Sequence, residues 1–184
     1  MLNLIGQNKL SEVTDYLLCE IINLHKAGAD FAVMASNTPH IVFNELQRQT
    51  PIPLISIIEV ACDSAKNANL KKVGVLGTRF TMQGTAYPNT FSKFNIEIVA
   101  PNQNEQEFIH NIYMNELVKG VLLPDTKQKL DEIIEALITR DSIDGVVLAG
   151  TELPLILTEP SHKGIPFLDT TKLHVQRIVE TILK

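Results

Sequence analysis

Short apolar runs alternate along this chain with longer stretches in which apolar residues recur every three to four positions. The six runs span residues 31–35, 54–58, 72–77, 96–99, 144–149 and 165–168. Continuous apolar runs of this length are typical of strands buried on both faces, and such strands lie in parallel sheets covered by helices. The pattern therefore predicts an α/β fold.

Four other stretches have the spacing of amphipathic helices. The first begins at Ser11, a residue type favoured as N-cap, and ends before Gly28. Its predicted apolar face comprises Val13, Tyr16, Leu17, Ile21 and Leu24. Two more helices are predicted over 107–119 and over 125–140, the second capped by Asp125. The last covers 171–184, where four apolar residues share one predicted core face: Val175, Ile178, Val179 and Ile182.

Two segments in the first half of the chain are similar in sequence to two segments in the second half. Residues 30–36 resemble residues 144–150 at an offset of 114, and Ile52-Pro53 recurs as Ile165-Pro166 at an offset of 113. Both first segments lead into a short polar stretch. Chance likeness between βαβ units is the alternative, but the matching offsets favour an internal repeat. A repeat would put both polar loops at carboxyl ends of parallel strands, where ligands bind in open α/β sheets.

The polar loop at 36–40 carries groups that can hold a small anion. The helix that follows it offers free backbone N–H groups, and Asn37 and Thr38 add side-chain donors. His40 would project from the first helical turn, close to the loop. The same residue types are also ordinary helix caps, so spacing alone leaves the functional and the structural interpretation open.

Composition and charge narrow the class of protein. The chain has 184 residues, with 16 Lys and Arg against 21 Asp and Glu and no basic run, which argues against nucleic-acid binding. No apolar run approaches the length of a membrane span, and the first residues do not resemble a secretory signal. We therefore expect a cytoplasmic protein without membrane contact. Cys19 and Cys62 form neither a disulfide framework nor a metal motif, and we expect both to be buried.

Five motifs, taken in order, resemble those of the aspartate/glutamate racemase family. They are residues 36–40, 52–56, 76–82, 150–154 and 168–170 with His174. The resemblance runs over nearly the whole chain and implies two pseudo-symmetric parallel-sheet α/β domains with an active site in the cleft between them. It also implies proton transfer at the α-carbon of aspartate or glutamate by two cysteine thiols, without pyridoxal phosphate or any other cofactor.

This sequence departs from the family at both thiol positions. The family has one thiol directly before Asn-Thr and another directly before Thr-Glu or Thr-His, and these positions here hold Ser36 and Gly150. A thiol needs only a modest pKa shift to form thiolate at neutral pH. A serine hydroxyl needs a second base to activate it, and glycine has no side-chain proton to move. Racemisation by the usual two-thiol mechanism is therefore not expected.

The resemblance also indicates which residues form the site. The two proton-transfer positions fall at Ser36 and in the Gly150-Thr151 loop, so Ser36 and Thr151 are the catalytic candidates. The predicted substrate-binding residues are Asn37, Thr38, His40, Thr78 and Glu152. Activation of Ser36 by His40 would require both residues to be helical, since only then do side chains at i and i+4 meet. No metal is expected.

The resemblance further implies a division into two domains. The N-terminal domain would comprise 1–70 plus 171–184 and would be shortened, lacking a first strand, a Gly-Gly loop, a helix and a further strand; the C-terminal domain would span 71–170. We expect a homodimer whose partner covers the open sheet edge. The favoured activity is that of an amino-acid racemase, an isomerase. The alternatives are a catalytically degenerate relative that binds a small carboxylate or acts as an interaction module, and an enzyme working on one face of its substrate.

Overall fold

Two parallel-dominated sheets form the centre of the molecule. The computed structural model describes all residues, Met1–Lys184. The strands are β1 (Ala32–Val33), β2 (Leu54–Ile55), β3 (Lys72–Gly77), β4 (Glu97–Val99), β5 (Gly145–Ala149), β6 (Ser161–His162) and β7 (Ile165–Asp169). The first sheet pairs β1 with β2, and the second has the order β4-β3-β5-β7-β6, parallel except for β6. This confirms the predicted α/β class.

Ten α-helices connect and cover these strands. They are α1 (Leu2–Gly6), α2 (Leu10–Lys26), α3 (Phe43–Gln49), α4 (Ile57–Asn67), α5 (Arg79–Met82), α6 (Ala86–Phe91), α7 (Gln103–Asn115), α8 (Pro124–Asp141), α9 (Leu153–Ile156) and α10 (Thr170–Ile182). Short 3-10 helices lie at Thr38–Val42, Ser92–Phe94 and Leu117–Lys119. None of the helices is long and apolar enough to cross a membrane.

The pairing of the strands shows the same offsets as the similar segments of the sequence. Ala32 of β1 lies opposite Leu54 of β2, and Val146 of β5 lies opposite Phe167 of β7. The two members of the second pair follow those of the first by 114 and 113 positions, the same offsets as in the sequence. The two loops that follow β1 and β5 therefore leave equivalent strand ends.

Three apolar clusters hold the layers together. One packs α7, α8 and α9 on one face of the large sheet, and a second packs α4 and α6 on the other face. The third surrounds β1 and β2 with α1, α2 and α3. Because the large sheet is covered on both faces, its central strands are apolar except at Lys72 and Asp169, which lie at strand ends, and every residue of β5 is buried.

The C-terminal helix corrects one prediction. Val175, Val179 and Ile182 were expected to face the core, but they are 53%, 47% and 65% exposed. The contact is made by another side of α10, which runs along α4 and carries the buried His174. An ion pair of 2.9 Å between Arg177 and Asp63 joins the two helices. Spacing shows which residues share a face, but a neighbouring element decides which face is covered. The division into two domains stays a prediction.

Smaller corrections concern helix starts and single residues. Ser11 lies inside α2, whose N-cap is Lys9, and Asp125 lies in the first turn of α8, whose N-cap is Leu123. The run over 54–58 divides into β2 and the first turn of α4, because the Ser56 hydroxyl caps that helix. On α2, Tyr16 is exposed, and so is Cys19, which was expected to be buried.

Candidate functional site

The loop after β1 is fastened to the large sheet through Asn37. Its side-chain amide donates to Thr170 Oγ1 at 3.2 Å, and its oxygen accepts from the Tyr87 hydroxyl at 2.6 Å. Thr170 in turn donates to the carbonyl of Leu148 in β5. All of these side chains are buried, and the Asn37 side chain makes no capping hydrogen bond to the helix that begins at Thr38. Asn37, predicted to bind substrate, instead holds the loop in position.

Three threonine hydroxyls join this loop to the end of β3. Thr38 Oγ1 lies 3.0 Å from Thr78 Oγ1 and 3.4 Å from Thr81 Oγ1, and Thr78 and Thr81 are 3.2 Å apart. Thr78 also caps α5 by accepting from the N–H of Thr81. Each hydroxyl carries one proton and two lone pairs, so the three mutual contacts can use all three protons, and a hydroxyl donates to a bound group when it turns away from its neighbour.

The second loop follows β5 and places a carboxylate among two hydroxyl donors. Glu152 Oε2 accepts from Thr151 Oγ1 at 2.7 Å and from the Tyr113 hydroxyl of α7. Its other oxygen, Oε1, makes no hydrogen bond to the protein. Burial and the neighbouring Glu152 raise the pKa of Tyr113 above its usual range, so this phenol stays protonated and keeps donating.

Both loops open onto one cavity of about 510 Å³. The first loop and its neighbours contribute Ser36, Thr38 and Thr78, and the second contributes Thr151 and Glu152. The rest of the lining is mostly apolar, with Met1 and side chains from α1, α2, β1, β2 and the end of α7. The structure therefore brings together five of the seven predicted site residues around one volume.

His40, predicted to bind substrate, does not reach the cavity. It is 4% exposed, stacks on Phe43 and does not line the cavity. Its Nδ1 donates to the carbonyl of Ser36 at 2.9 Å, and its Nε2 accepts from the N–H of Ile57 at 3.3 Å. With both nitrogens engaged, His40 cannot activate the Ser36 hydroxyl or bind substrate. Its place beneath the loop is structural.

The bonds of His40 fix the neutral imidazole, which makes the stability of the protein depend on pH. Burial and, to a smaller extent, the nearby His174 lower the pKa of His40 to about 4. Because the folded value lies below the unfolded value of about 6.5, the stabilisation is complete above pH 6.5 and is lost as the pH falls toward 4. Between pH 7 and pH 4 we expect wild type to lose about 3 kcal/mol more than His40→Gln, measured by denaturant unfolding. Equal losses, or a His40 imidazole that titrates near pH 6.5 by NMR, would contradict this.

Known proteins match both the sequence and this fold. The family model described as Asp/Glu/Hydantoin racemase matches residues 5–178. The chain belongs to this racemase family. Bacillus subtilis RacX, a broad specificity amino-acid racemase, is 25% identical over 164 residues, which are 88% of this chain and 69% of RacX.

Solved racemase-family structures superimpose on most of the chain. An aspartate racemase homologue from Pyrococcus horikoshii is 31% identical, with a TM-score of 0.83 over 93% of this chain and 74% of that one. A Yersinia pestis protein assigned to the Asp/Glu racemases is 25% identical, with a TM-score of 0.89 over 99% of this chain and 79% of that one. The α/β fold of this chain is thus the fold of the racemase family.

The two positions at which the family is expected to have thiols hold Ser36 and Gly150, and their surroundings differ. Ser36 is exposed at the cavity, and no hydrogen bond joins its hydroxyl to a base. Gly150 leaves room that Tyr113 fills: a Cβ on Gly150 would lie 2.4 Å from Tyr113 Cε2 and 2.8 Å from its hydroxyl. On that side of the cavity, a tyrosine and the carboxylate it contacts stand where the family is expected to have a thiol.

Sequence reasoning missed Tyr113 and Glu20, both of which line the cavity. Tyr113 sits in a helix whose apolar pattern gave no sign of a polar role. The available signal was Gly150 itself, because a missing side chain next to a site needs another group to fill its space. Four residues near the motif loops could act as bases by type, His40, Glu59, Glu152 and His174, and among these Glu152 alone lines the cavity. No cluster of three His, Cys, Asp or Glu side chains suits a metal ion.

Proposed function

We propose that this protein moves a proton at the α-carbon of a free amino acid, without a cofactor and from one face of the substrate. The observation that carries the proposal is the convergence of the two polar loops on one cavity of about 510 Å³. Membership of the racemase family and similarity to a broad specificity amino-acid racemase support an amino acid as the substrate.

The threonine side of the cavity would hold the α-carboxylate. Thr38 and Thr78 line it with hydroxyls 3.0 Å apart, and both residues are fixed by burial. When the α-proton leaves, negative charge spreads into this carboxylate. A hydroxyl that turns from its neighbour to this carboxylate donates more strongly to the developing charge than to the ground state, which lowers the barrier.

Glu152 is the base in this proposal. Thr151 and Tyr113 hold its Oε2, which leaves Oε1 free to accept a proton from the substrate. The Cα–H bond breaks, its electron pair moves into the enolate of the α-carboxylate, and the proton bonds to Oε1. The reverse step returns a proton to the same face. Thr151, the catalytic candidate of the sequence analysis, becomes a positioning residue for Glu152.

The opposite face has no equivalent group. Ser36 offers a hydroxyl without an activating base, because His40 contacts the carbonyl of Ser36 and not its side chain. An unactivated hydroxyl is a weak acid and a weak base at neutral pH. Exchange of the α-proton should therefore be faster than inversion of the α-carbon.

A second candidate is a catalytically degenerate relative that binds a small carboxylate and does no chemistry. The observation that favours it is the loss of both expected thiols together with the filling of the Gly150 side by Tyr113. It shares the binding site with the first candidate and differs in predicting no exchange.

The experiment incubates the full chain in D₂O with L-leucine, L-aspartate and L-glutamate. Proton NMR follows the α-hydrogen, and chiral chromatography follows the D-isomer. The proposal expects the α-hydrogen signal to disappear at least tenfold faster than the D-isomer appears. Equal rates would indicate two working bases and contradict one-face chemistry. Saturable binding without exchange would support the degenerate binder instead.

A further inference from the structure

The charge of the cavity does not suit an acidic substrate. Two carboxylates line it, Glu20 on α2 and Glu152, whereas no lysine, arginine or histidine side chain does. The nearest cationic neighbours in sequence are Arg79 and Lys119, and neither contributes to the lining. The side-chain carboxylate of aspartate or glutamate would therefore enter a site whose lining side chains include two carboxylates and no cation, the N-terminal ammonium of Met1 being the one cationic group on a lining residue.

Much of the cavity lining is apolar and already formed. Its floor consists of Ile21, Met34 and Leu54, all buried in the cluster around the small sheet. Its rim consists of Leu24 and Val118, which are 49% and 52% exposed. Such a surface contributes to binding by covering apolar atoms, roughly fourfold in affinity for each methylene buried.

We infer that this cavity takes an amino acid with an apolar side chain in preference to aspartate or glutamate. The inference rests on the proposed function for the orientation of the substrate, with its α-carboxylate at Thr38 and Thr78. The α-ammonium then meets a cavity that holds two carboxylates, and the side chain lies on the wall formed by Ile21, Met34 and Leu54. The acidic substrate expected from the sequence resemblance is thereby replaced by an apolar one.

Three amino acids of matched shape test this. Leucine, asparagine and aspartate all branch at the γ-carbon, but they carry two methyl groups, an amide and a carboxylate there. Calorimetry on the full chain should give a Kd for L-leucine at least tenfold lower than for L-aspartate, with L-asparagine between them. Aspartate binding as tightly as leucine, or binding of none of the three, would overturn the inference.

A charge introduced at the rim provides the matched variant. Val118→Lys adds a cation at the cavity, so aspartate should tighten and the leucine-to-aspartate preference should fall about tenfold. Val121→Lys adds the same charge on a nearby exposed residue that does not line the cavity, and it should leave the preference unchanged. An unchanged preference in Val118→Lys would contradict the inference.

Binding and exchange separate this inference from the proposed function. A protein that binds leucine selectively but exchanges no α-hydrogen would support the apolar cavity and contradict the proposed chemistry. A protein that binds aspartate more tightly than leucine and exchanges the α-hydrogen of aspartate would support the proposed chemistry and contradict the apolar cavity.

Discussion

Glu152→Gln is expected to slow α-hydrogen exchange by about 10²–10⁴-fold, the contribution typical of a general base. The amide keeps the shape of the side chain and an oxygen that can accept from Tyr113 and Thr151. It cannot take up a proton at neutral pH. The unfolding temperature should therefore change little, and the Kd for the amino acid should rise modestly because one of the two cavity carboxylates that face the α-ammonium is lost. The exchange rate measured by NMR in D₂O should fall far more than binding weakens.

Two further variants make this result specific. Glu107→Gln removes a carboxylate from the exposed side of α7, where it makes no hydrogen bond, and should leave exchange at the wild-type rate. Ser36→Ala removes the hydroxyl proposed to face the other side of the substrate. Exchange should fall less than tenfold, because no base lies on that side. Exchange that survives in Glu152→Gln but disappears in Ser36→Ala would show that Ser36, and not Glu152, removes the proton, and would contradict the proposal.

Much of the fold follows from the chain itself. Six apolar runs anticipated six of the seven strands, and the offset between echoed segments anticipated that the β1–β2 and β5–β7 pairs share one register. The missed strand is β6, a two-residue segment with no apolar pattern. Continuous apolar runs predict buried parallel strands well because both faces of such strands must be apolar.

The orientation of single side chains depends on partners distant in sequence, and there sequence reasoning fails. His40 was placed near the loop correctly, but its nitrogens are fixed by Ser36 and by Ile57, seventeen residues away. Asn37 had the chemistry of a ligand-binding residue, yet Tyr87 and Thr170 use its amide. In both cases the local motif was read correctly, and tertiary contacts determined its role.

The relation between Gly150 and Tyr113 leads to a prediction about restoring a thiol. Gly150→Cys alone should lower the free energy of unfolding by about 1–3 kcal/mol, because its Cβ overlaps the Tyr113 ring. Gly6→Ala is the control, since a Cβ there meets Phe80 at an ordinary 3.6 Å. Denaturant unfolding should show destabilisation for Gly150→Cys only.

A second change at Tyr113 tests the cause. The atoms that a Cβ on Gly150 would meet, Cε2, Cζ and the hydroxyl, all lie beyond the δ-carbons. Tyr113→Leu removes all three atoms, whereas Tyr113→Phe keeps the two carbons. In the Gly150→Cys background we therefore expect Tyr113→Leu to show a favourable coupling energy of about 1 kcal/mol or more, and Tyr113→Phe to show little. Equal coupling for both would exclude ring overlap as the cause.

The same pair of substitutions decides whether the family's chemistry can be restored. Adding Ser36→Cys to Gly150→Cys and Tyr113→Leu supplies a thiol at each proton-transfer position with room for both side chains. We expect this triple variant to interconvert L- and D-isomers at a rate that chiral chromatography detects, at least tenfold above wild type. The matched variant with Tyr113→Phe should stay near wild type, because the ring still fills the space that the second thiol needs. Racemisation by both would show that the ring does not block the thiol, and racemisation by neither would place the obstacle outside these three residues.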